Sequence, residues 1–351
     1  MADVAANEEL RFPCKNCGAK LAWTPGAESL TCGYCGYTEA VPKTKAEVVE
    51  HAFEDYKPDS TGWDTAMKAW ECGQCGARTE REPHVTASTC VFCGSNQIQP
   101  LAETTALHKP ESLLPFKVNK EQVVDLFKKW VKGLWFRPDA LKHEARPEGV
   151  NGVYTPFWAY DTMTHSFWQA EAGYHYYETN DKGERVQRTR WEWASGQHSE
   201  YFDDVLARGS ESVPQSLAQA IEPFDTKGLV PYKPEFLAGM VAEDYRIDMP
   251  TAWTTAQSRI DHTIHEACRH KIPGDTNRNL AVQTSYLNRL YKLTLLPIWI
   301  ASYRYQGKSY MYLVNGETGR VSGQAPFSWV KITLFVLSIA GVIGTIAALS
   351  N

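Results

Sequence analysis

The chain has 351 residues, with 36 Lys and Arg against 41 Asp and Glu, and 43% of it is hydrophobic. That length suits two or three compact units with a full core, and 22% charged with 12% aromatic residues excludes a disordered or collagen-like chain. A net charge of −5 supplies no general attraction to nucleic acid or anionic lipid.

In chain order, Met1 to Arg11 is polar and partly acidic, with no apolar run of the secretory kind. Eight of the nine cysteines follow in pairs before residue 94: Cys14 and Cys17, Cys32 and Cys35, Cys72 and Cys75, Cys90 and Cys93. Fourteen residues separate Cys17 from Cys32, and fourteen separate Cys75 from Cys90. Sliding the chain by 58 superposes all four pairs and also aligns Gly18 with Gly76, Pro25 with Pro83, Thr31 with Thr89 and Gly36 with Gly94. The N-terminal end is therefore an internal duplication of a four-cysteine unit.

Two cysteines separated by two residues can turn their sulfurs toward one point, so two such tips supply a tetrahedron of thiolates. Zinc accepts that set, with Zn–S bonds of about 2.3 Å. The glycine after each second cysteine (Gly18, Gly36, Gly76, Gly94) suits a tight knuckle that needs positive φ. With sulfur in all four positions no site is left for water or substrate, so the spacing predicts two structural Zn2+ ions standing in for a core that short units cannot build. Disulfides would need an oxidising compartment. Iron–sulfur clusters use other spacings, although iron can replace zinc in a four-thiolate ribbon. Residues 1–100 hold nine bases against fourteen acids, and each zinc tetrathiolate adds roughly −2. Phosphate binding relies on clustered Lys and Arg, so this end is expected to meet protein, with nucleic acid disfavoured.

The middle of the chain reads as α+β with an antiparallel sheet. Asn119-Lys-Glu-Gln122 resembles a capping box and opens a helix with Val123, Phe127, Trp130 and Leu134 on one face. Strand-like stretches follow at Gly152 to Tyr160, Phe167 to Tyr177 and Arg185 to Tyr201, with Asn180 to Gly183 as a turn. Thr251 to His270 reads as a helix with Trp253, Ile260, Ile264 and Ala267 inward, and Cys268 as a small buried hydrophobe. Leu293 to Tyr305, Tyr310 to Val314 and Thr318 to Gly323 are strands joined by turns at Gln306-Gly307 and Asn315-Gly316. Tyr154-Thr-Pro-Phe-Trp158 echoes Leu296-Pro-Ile-Trp299 and suggests two related halves sharing one sheet. The strand tryptophans Trp158, Trp168, Trp191, Trp193 and Trp299 read as core.

No catalytic set emerges. Gly307-Lys308-Ser309 lacks the first glycine of a phosphate-binding loop and leads into a strand. His265 and His270 are five apart, one too many for a zinc-protease helix. Asp203 and Asp204 read as surface partners of Arg188 and Arg190.

From Ile332 to Leu349 eighteen residues pass without a charge, and a helix of that length spans roughly 27 Å, close to the hydrocarbon thickness of a bilayer. Trp329 and Lys331 stand at its entrance as an interfacial aromatic and a cytoplasm-retained cation would. With Ser350 and Asn351 following, the segment reads as a single-pass tail anchor in the inner (cytoplasmic) membrane, the N-terminal bulk lying in the cytoplasm. Ala340, Gly344 and Ala348 form a small stripe that permits close helix pairing, and with it a homo-oligomer.

The segments Phe12-Pro-Cys-Lys-Asn-Cys-Gly18, Gly152 to Trp158, Arg190-Trp191 through Phe202 to Leu206, Gly274-Asp275, and Leu296 to Trp299 through Val314 to Gly319 resemble a widespread bacterial family of transcription-factor-IIB-type zinc-ribbon membrane proteins. Such proteins are often catalogued with primosomal protein N-prime, a DNA helicase. The resemblance covers nearly the whole chain and implies zinc at the eight cysteines. The helicase label implies an ATPase, for which this chain has neither phosphate loop nor Asp-Glu-Ala-Asp/His box.

The expected organisation is a first zinc ribbon at 1–40, a connecting segment at 41–69, a second ribbon at 70–100, an α+β domain at 101–328 and a transmembrane anchor at 329–351. The expected function is a membrane-anchored adaptor or scaffold that recruits protein partners through its ribbons. The alternative is a membrane-tethered nucleic-acid-binding factor.

Overall fold

The computed structural model describes residues 12–27, 29–41, 47–58, 68–81, 89–101, 108–145 and 147–349. The N-terminal residues 1–11, Pro83 of the duplication, and the final Ser350 and Asn351 lie outside the described residues. The fold is mixed α and β, and mostly sheet. Its strands are β1 (Leu21–Thr24), β2 (Ser29–Cys32), β3 (Thr38–Ala40), β4 (His51–Ala52), β5 (Lys68–Cys72), β6 (Arg78–Arg81), β7 (Ile98–Pro100) and β8 (Ser112–Leu113). Helices α1 (Lys120–Gly133) and α2 (Leu141–Glu144) precede the long β9 (Pro147–Thr179) and β10 (Arg185–Arg208). After α3 (Gln215–Ala220), β11 (Val230–Pro231) and β12 (Val241–Glu243) come α4 (Met249–Arg269), β13 (Thr276–Tyr305), β14 (Lys308–Asn315), β15 (Val321–Gly323) and α5 (Trp329–Leu349).

Strands β10, β9 and β13 lie side by side, antiparallel, as the spine of a twelve-stranded sheet. The short pairings of β12 with β9 and of β8 with β13 are parallel. At about 3.3 Å per residue the 33 residues of β9 span roughly 100 Å. The stretches read as separate strands at Gly152 and Phe167 are one, and Leu293 to Tyr305 is the last part of β13. Around Val153–Tyr160 and Leu293–Ala301 the strands are buried on both faces. Farther out one face opens to water, and burial alternates with the period of two that a pleated strand imposes. The echoing segments lie opposite each other in the centre, Pro297 facing Tyr154 and Leu295 facing Pro156.

Both neighbours of β9 bulge at the same level. The register slips between Phe202 and Val205 on β10 and between Leu287 and Leu290 on β13. Asp204 (φ 52°) and Asn288 (φ 50°) take the left-handed conformation there, which short polar side chains tolerate best. The paired bulges bend the sheet and turn Asp204 inward, where its amide donates to Asp161 Oδ1 at 2.6 Å.

Helix α1 begins with the capping box: Asn119 Oδ1 accepts from the Gln122 amide at 2.9 Å and Gln122 Oε1 from the Asn119 amide at 2.8 Å. Its buried residues are Val123, Phe127 and Val131, with the Phe127 ring 4.4 Å from that of Tyr312 and 5.3 Å from that of Tyr303. Trp130 and Leu134 pack partly buried at its edge. Asp248 caps α4 by accepting from the Thr251 amide at 3.0 Å. The stripe Met249, Ala252, Trp253, Ala256, Ile260, Ile264 and Cys268 covers one face of the outer sheet against Trp158, Tyr160, Trp168, Ala170 and Ala172. Cys268, not Ala267, continues the four-residue spacing of Ile260 and Ile264, and Ala267 is half-buried.

Trp158, Trp168 and Trp299 are core residues, but Trp193 is 76% exposed. It lies on the sheet face opposite α4, in the row with Glu171 and Arg278. Trp191 carries the Arg278 guanidinium 4.1 Å from its ring centre.

Candidate metal centres

Each four-cysteine unit is built from two copies of one backbone turn. In every copy the amide of the first cysteine donates to a carbonyl five residues on: Cys14 to Ala19 at 2.6 Å, Cys32 to Tyr37 at 2.8 Å, Cys72 to Ala77 at 3.0 Å and Cys90 to Ser95 at 2.7 Å. The glycine amide then returns to the first cysteine's carbonyl: Gly18, Gly36, Gly76 and Gly94 at 2.8, 3.0, 2.8 and 2.9 Å. All four glycines have φ between 70° and 76°, so the positive φ expected from the spacing is present at each tip. A side chain there would be strained irrespective of space.

These tips bring the sulfurs of Cys14, Cys17, Cys32 and Cys35 together, and those of Cys72, Cys75, Cys90 and Cys93. Within each group all four sulfurs lie within 4.8 Å of one another. Cys14 and Cys35 stand 3.6 Å apart, Cys17 and Cys32 3.6 Å, Cys72 and Cys93 3.6 Å, and Cys75 and Cys90 3.7 Å. A tetrahedron with about 2.3 Å bonds has sulfur–sulfur edges of about 3.8 Å, whereas a disulfide measures about 2.05 Å. All nine cysteines are free thiols, and the two groups could each hold a metal ion. A hydrogen bond from the Asn16 side chain, followed by one from the Tyr37 backbone, lowers the Cys35 thiol to about 6. In the same cluster a backbone hydrogen bond from Ala19 is outweighed by burial and the neighbouring thiols, which push Cys17 up, so the four sulfurs share their protons unequally.

Neither unit is loosely attached. In the first, Cys14, Leu21, Trp23, Leu30 and Cys32 share a core with Phe116, Phe236 and Leu237, and the Trp23 amide donates to Ala238 O at 2.9 Å. In the second, β6 pairs with β12, Glu243 opposite Thr79, and Cys72, Ala77, Cys90 and Phe92 pack against Leu114, Val153, Phe157 and Ile298. Arg246 donates to Gly76 O at the tip itself. In each group the first cysteine of each pair is buried (Cys14, Cys32, Cys72 and Cys90), while of the second cysteines Cys17, Cys75 and Cys93 are exposed and Cys35 is half-buried.

Two carboxylate clusters lie in the interior, and of their residues the sequence points only to Asp204, with other partners. Lys292, 5% exposed, sits 2.6 Å from Asp204 and 2.6 Å from Glu50, next to Asp161. Burial, with the charges of Glu50 and Asp204 adding to it, raises the Asp161 carboxyl to about 7. Asp204 thus belongs to Lys292, while Arg188 pairs with Glu178 and Arg190 with Glu192. The bulge that swings Asp204 inward leaves no trace in the local sequence. At the seam with the second unit Glu243 and Asp244 are both buried. Burial raises each of them to about 7, and Glu243 accepts from the Ser210 hydroxyl. The segment between the units joins the sheet as β4, pairing Ala52 with Leu290 of β13, with His51 3.2 Å from Glu111.

Two of the motifs weighed in the sequence fall at a hairpin and on a helix. Gln306 and Gly307 form the hairpin turn into β14, so Lys308 opens a strand. His265 lies beside Glu266 at 3.6 Å on the outer side of α4.

α5 has an 18-residue window, Trp329–Ile346, long and apolar enough to cross a membrane, and none of that window is buried against the rest of the chain. Among the described residues it is the single helix that meets those criteria.

No family model matches the sequence, and no solved structure matches it. The chain is similar to a protein of Bacillus subtilis (strain 168) named "Uncharacterized protein YdjG", at 29% identity over 97% of this chain and 96% of that one.

Proposed function

We propose that this protein is a membrane-anchored zinc-ribbon adaptor. Two structural zinc ions fix the ribbons, α5 spans the cytoplasmic membrane once, and the ribbons present a protein-binding surface on the cytoplasmic side. Membership in the bacterial zinc-ribbon membrane family named above is part of this reading. The observation that carries it is the pair of complete four-sulfur sets on a chain whose apolar helix α5 has none of the window Trp329–Ile346 buried within the fold. Four thiolates saturate a tetrahedral zinc ion, so the metal has no open position at which to activate water. The tips are accessible for recognition, with Tyr34 between Cys32 and Cys35 standing 86% exposed. Tethering the module to a surface raises its effective concentration toward any partner held there.

The test is affinity purification of the full chain from detergent extract, beside a Tyr34→Ser variant that keeps all eight sulfurs. A stoichiometric protein partner that is retained by the parent and lost by the variant is expected. Recovery of no ribbon-dependent protein, together with salt-sensitive retention of DNA or RNA, would replace this reading with the nucleic-acid one.

A further inference from the structure

α5 does not leave the soluble part as a bare stalk. The segment joining α1 to α2 grips its base: the Ser328 amide donates to Phe136 O at 2.9 Å, and Lys331 Nζ meets Asp139 Oδ1 at 2.6 Å. The Arg137 guanidinium lies 3.6 Å from the centre of the Phe327 ring. The Phe136 ring packs edge-on against Phe335 at 5.3 Å. Phe335 is six residues past Trp329, about 9 Å farther along the helix axis, so Phe136 reaches beyond the level of the entrance aromatics. Trp135 beside it is 73% exposed, and Phe327 and Trp329 are exposed as well.

The charge of this segment is opposite to that of the chain. From Lys128 to His143 there are five bases, Lys128, Lys129, Lys132, Arg137 and Lys142, against a single acid, Asp139, in a protein of net charge −5. Exposed aromatics rimmed by cations and continuous with an apolar helix have the composition of an element at a membrane–water interface. We propose that residues 128–143 form a second membrane-contacting element, with Trp135 and Phe136 inserted at the acyl-chain boundary and Lys129 and Lys132 over anionic phospholipid headgroups. This rests on the reading of α5 as a membrane span. It fixes the orientation of the soluble part: the end holding α1 and α2 faces the lipid.

The experiment uses the full chain with p-benzoylphenylalanine in place of Trp135, of Ile339 in α5, or of Tyr34 on a ribbon tip. Each form is reconstituted into vesicles of phosphatidylcholine alone or with added phosphatidylglycerol and then irradiated, and the adducts are identified by mass spectrometry. Lipid adducts are expected at 135 and 339 and absent at 34. The yield at 135 should rise roughly fivefold with the anionic lipid. A K129Q/K132Q variant should lose that rise with no change at 339. Lipid adducts at 339 without any at 135, or protein adducts at 135, overturn the proposal while leaving the membrane span intact. Absence of lipid adducts at 339 overturns the span and the proposal together. Equal yields at 135 in both vesicle types overturn the headgroup recognition.

Discussion

Replacing Glu243 by glutamine should flatten the pH dependence of stability. Glu243 is fully buried at the junction of β12 with the second cysteine unit. Its Oε2 has no hydrogen-bond partner among the described residues, and the same is true of Asp244 Oδ1 next to it. Burial is the main cause that lifts its carboxyl to about 7. The hydrogen bond that its Oε1 accepts from the Ser210 hydroxyl pulls the other way, and the charge of Asp244 pushes it further up. In the unfolded chain a glutamate titrates near 4.3. Between those values the folded protein holds a proton that the unfolded chain has released, so folding weakens as pH rises from about 4.5 to 7 and is level beyond. A displacement of roughly 2.5 units corresponds to about 3 kcal/mol in total, of which about 2 kcal/mol is lost between about pH 5.5 and 8. The uncharged amide of the Glu243→Gln variant keeps the shape and avoids that loss. Urea unfolding of both proteins, zinc-loaded and in detergent, followed by tryptophan fluorescence at the two pH values, gives the difference in slope. Metal ligation and the titrations away from this seam enter both proteins and cancel, and release of the neighbouring Asp244 from the Glu243 charge flattens the variant's profile further. Parallel pH profiles would falsify the assignment of a buried, protonating carboxyl at this seam.

Lys292→Met should cost about 3–5 kcal/mol, because Asp204 and Glu50 then face Asp161 without their shared cation; a loss under about 1 kcal/mol in the same urea assay would show that water reaches the cluster. Phe127→Ala, which empties the contact with Tyr303 and Tyr312, should cost about 3–5 kcal/mol, while Trp193→Ser on the open sheet face should stay within about 0.5 kcal/mol. Elemental analysis of the purified chain should return two zinc ions, falling to one in Cys14→Ser or in Cys72→Ser. Chelation should lower the unfolding midpoint, since ribbon zinc and folding are linked.

What the sequence discloses and what it hides divide along the range of the interactions. The cysteine tips, the Asn119–Gln122 box and the Gln306-Gly307 hairpin are local codes, each closed within six residues, and each appears in the structure where the residues place it. The stripe of α4 follows from a 3.6-residue period, and only Ala267 departs from the expected face. The length of β9 is hidden because its middle, from Asp161 to Ser166, is polar and yet largely buried, its side chains satisfied by partners over thirty residues away, as in Thr164 with Glu200 O. Lys292 and Glu50 meet across 242 positions, and no spacing rule reaches that far. Trp193 departs from the core because it stands opposite Glu171, on the sheet face turned away from α4, which packs on the other face against Ala170 and Ala172, and which face a helix covers is a tertiary fact.

The pairing of β4 with β13 has a consequence for biogenesis. Each four-cysteine unit closes a loop of about twenty residues and can assemble while the polypeptide is still emerging. The strand that receives the linker between them is translated more than two hundred positions later. Such high contact order makes sheet closure slow, so a nascent chain with preformed cysteine units spends that interval with unpaired strand edges that a chaperone would have to shield.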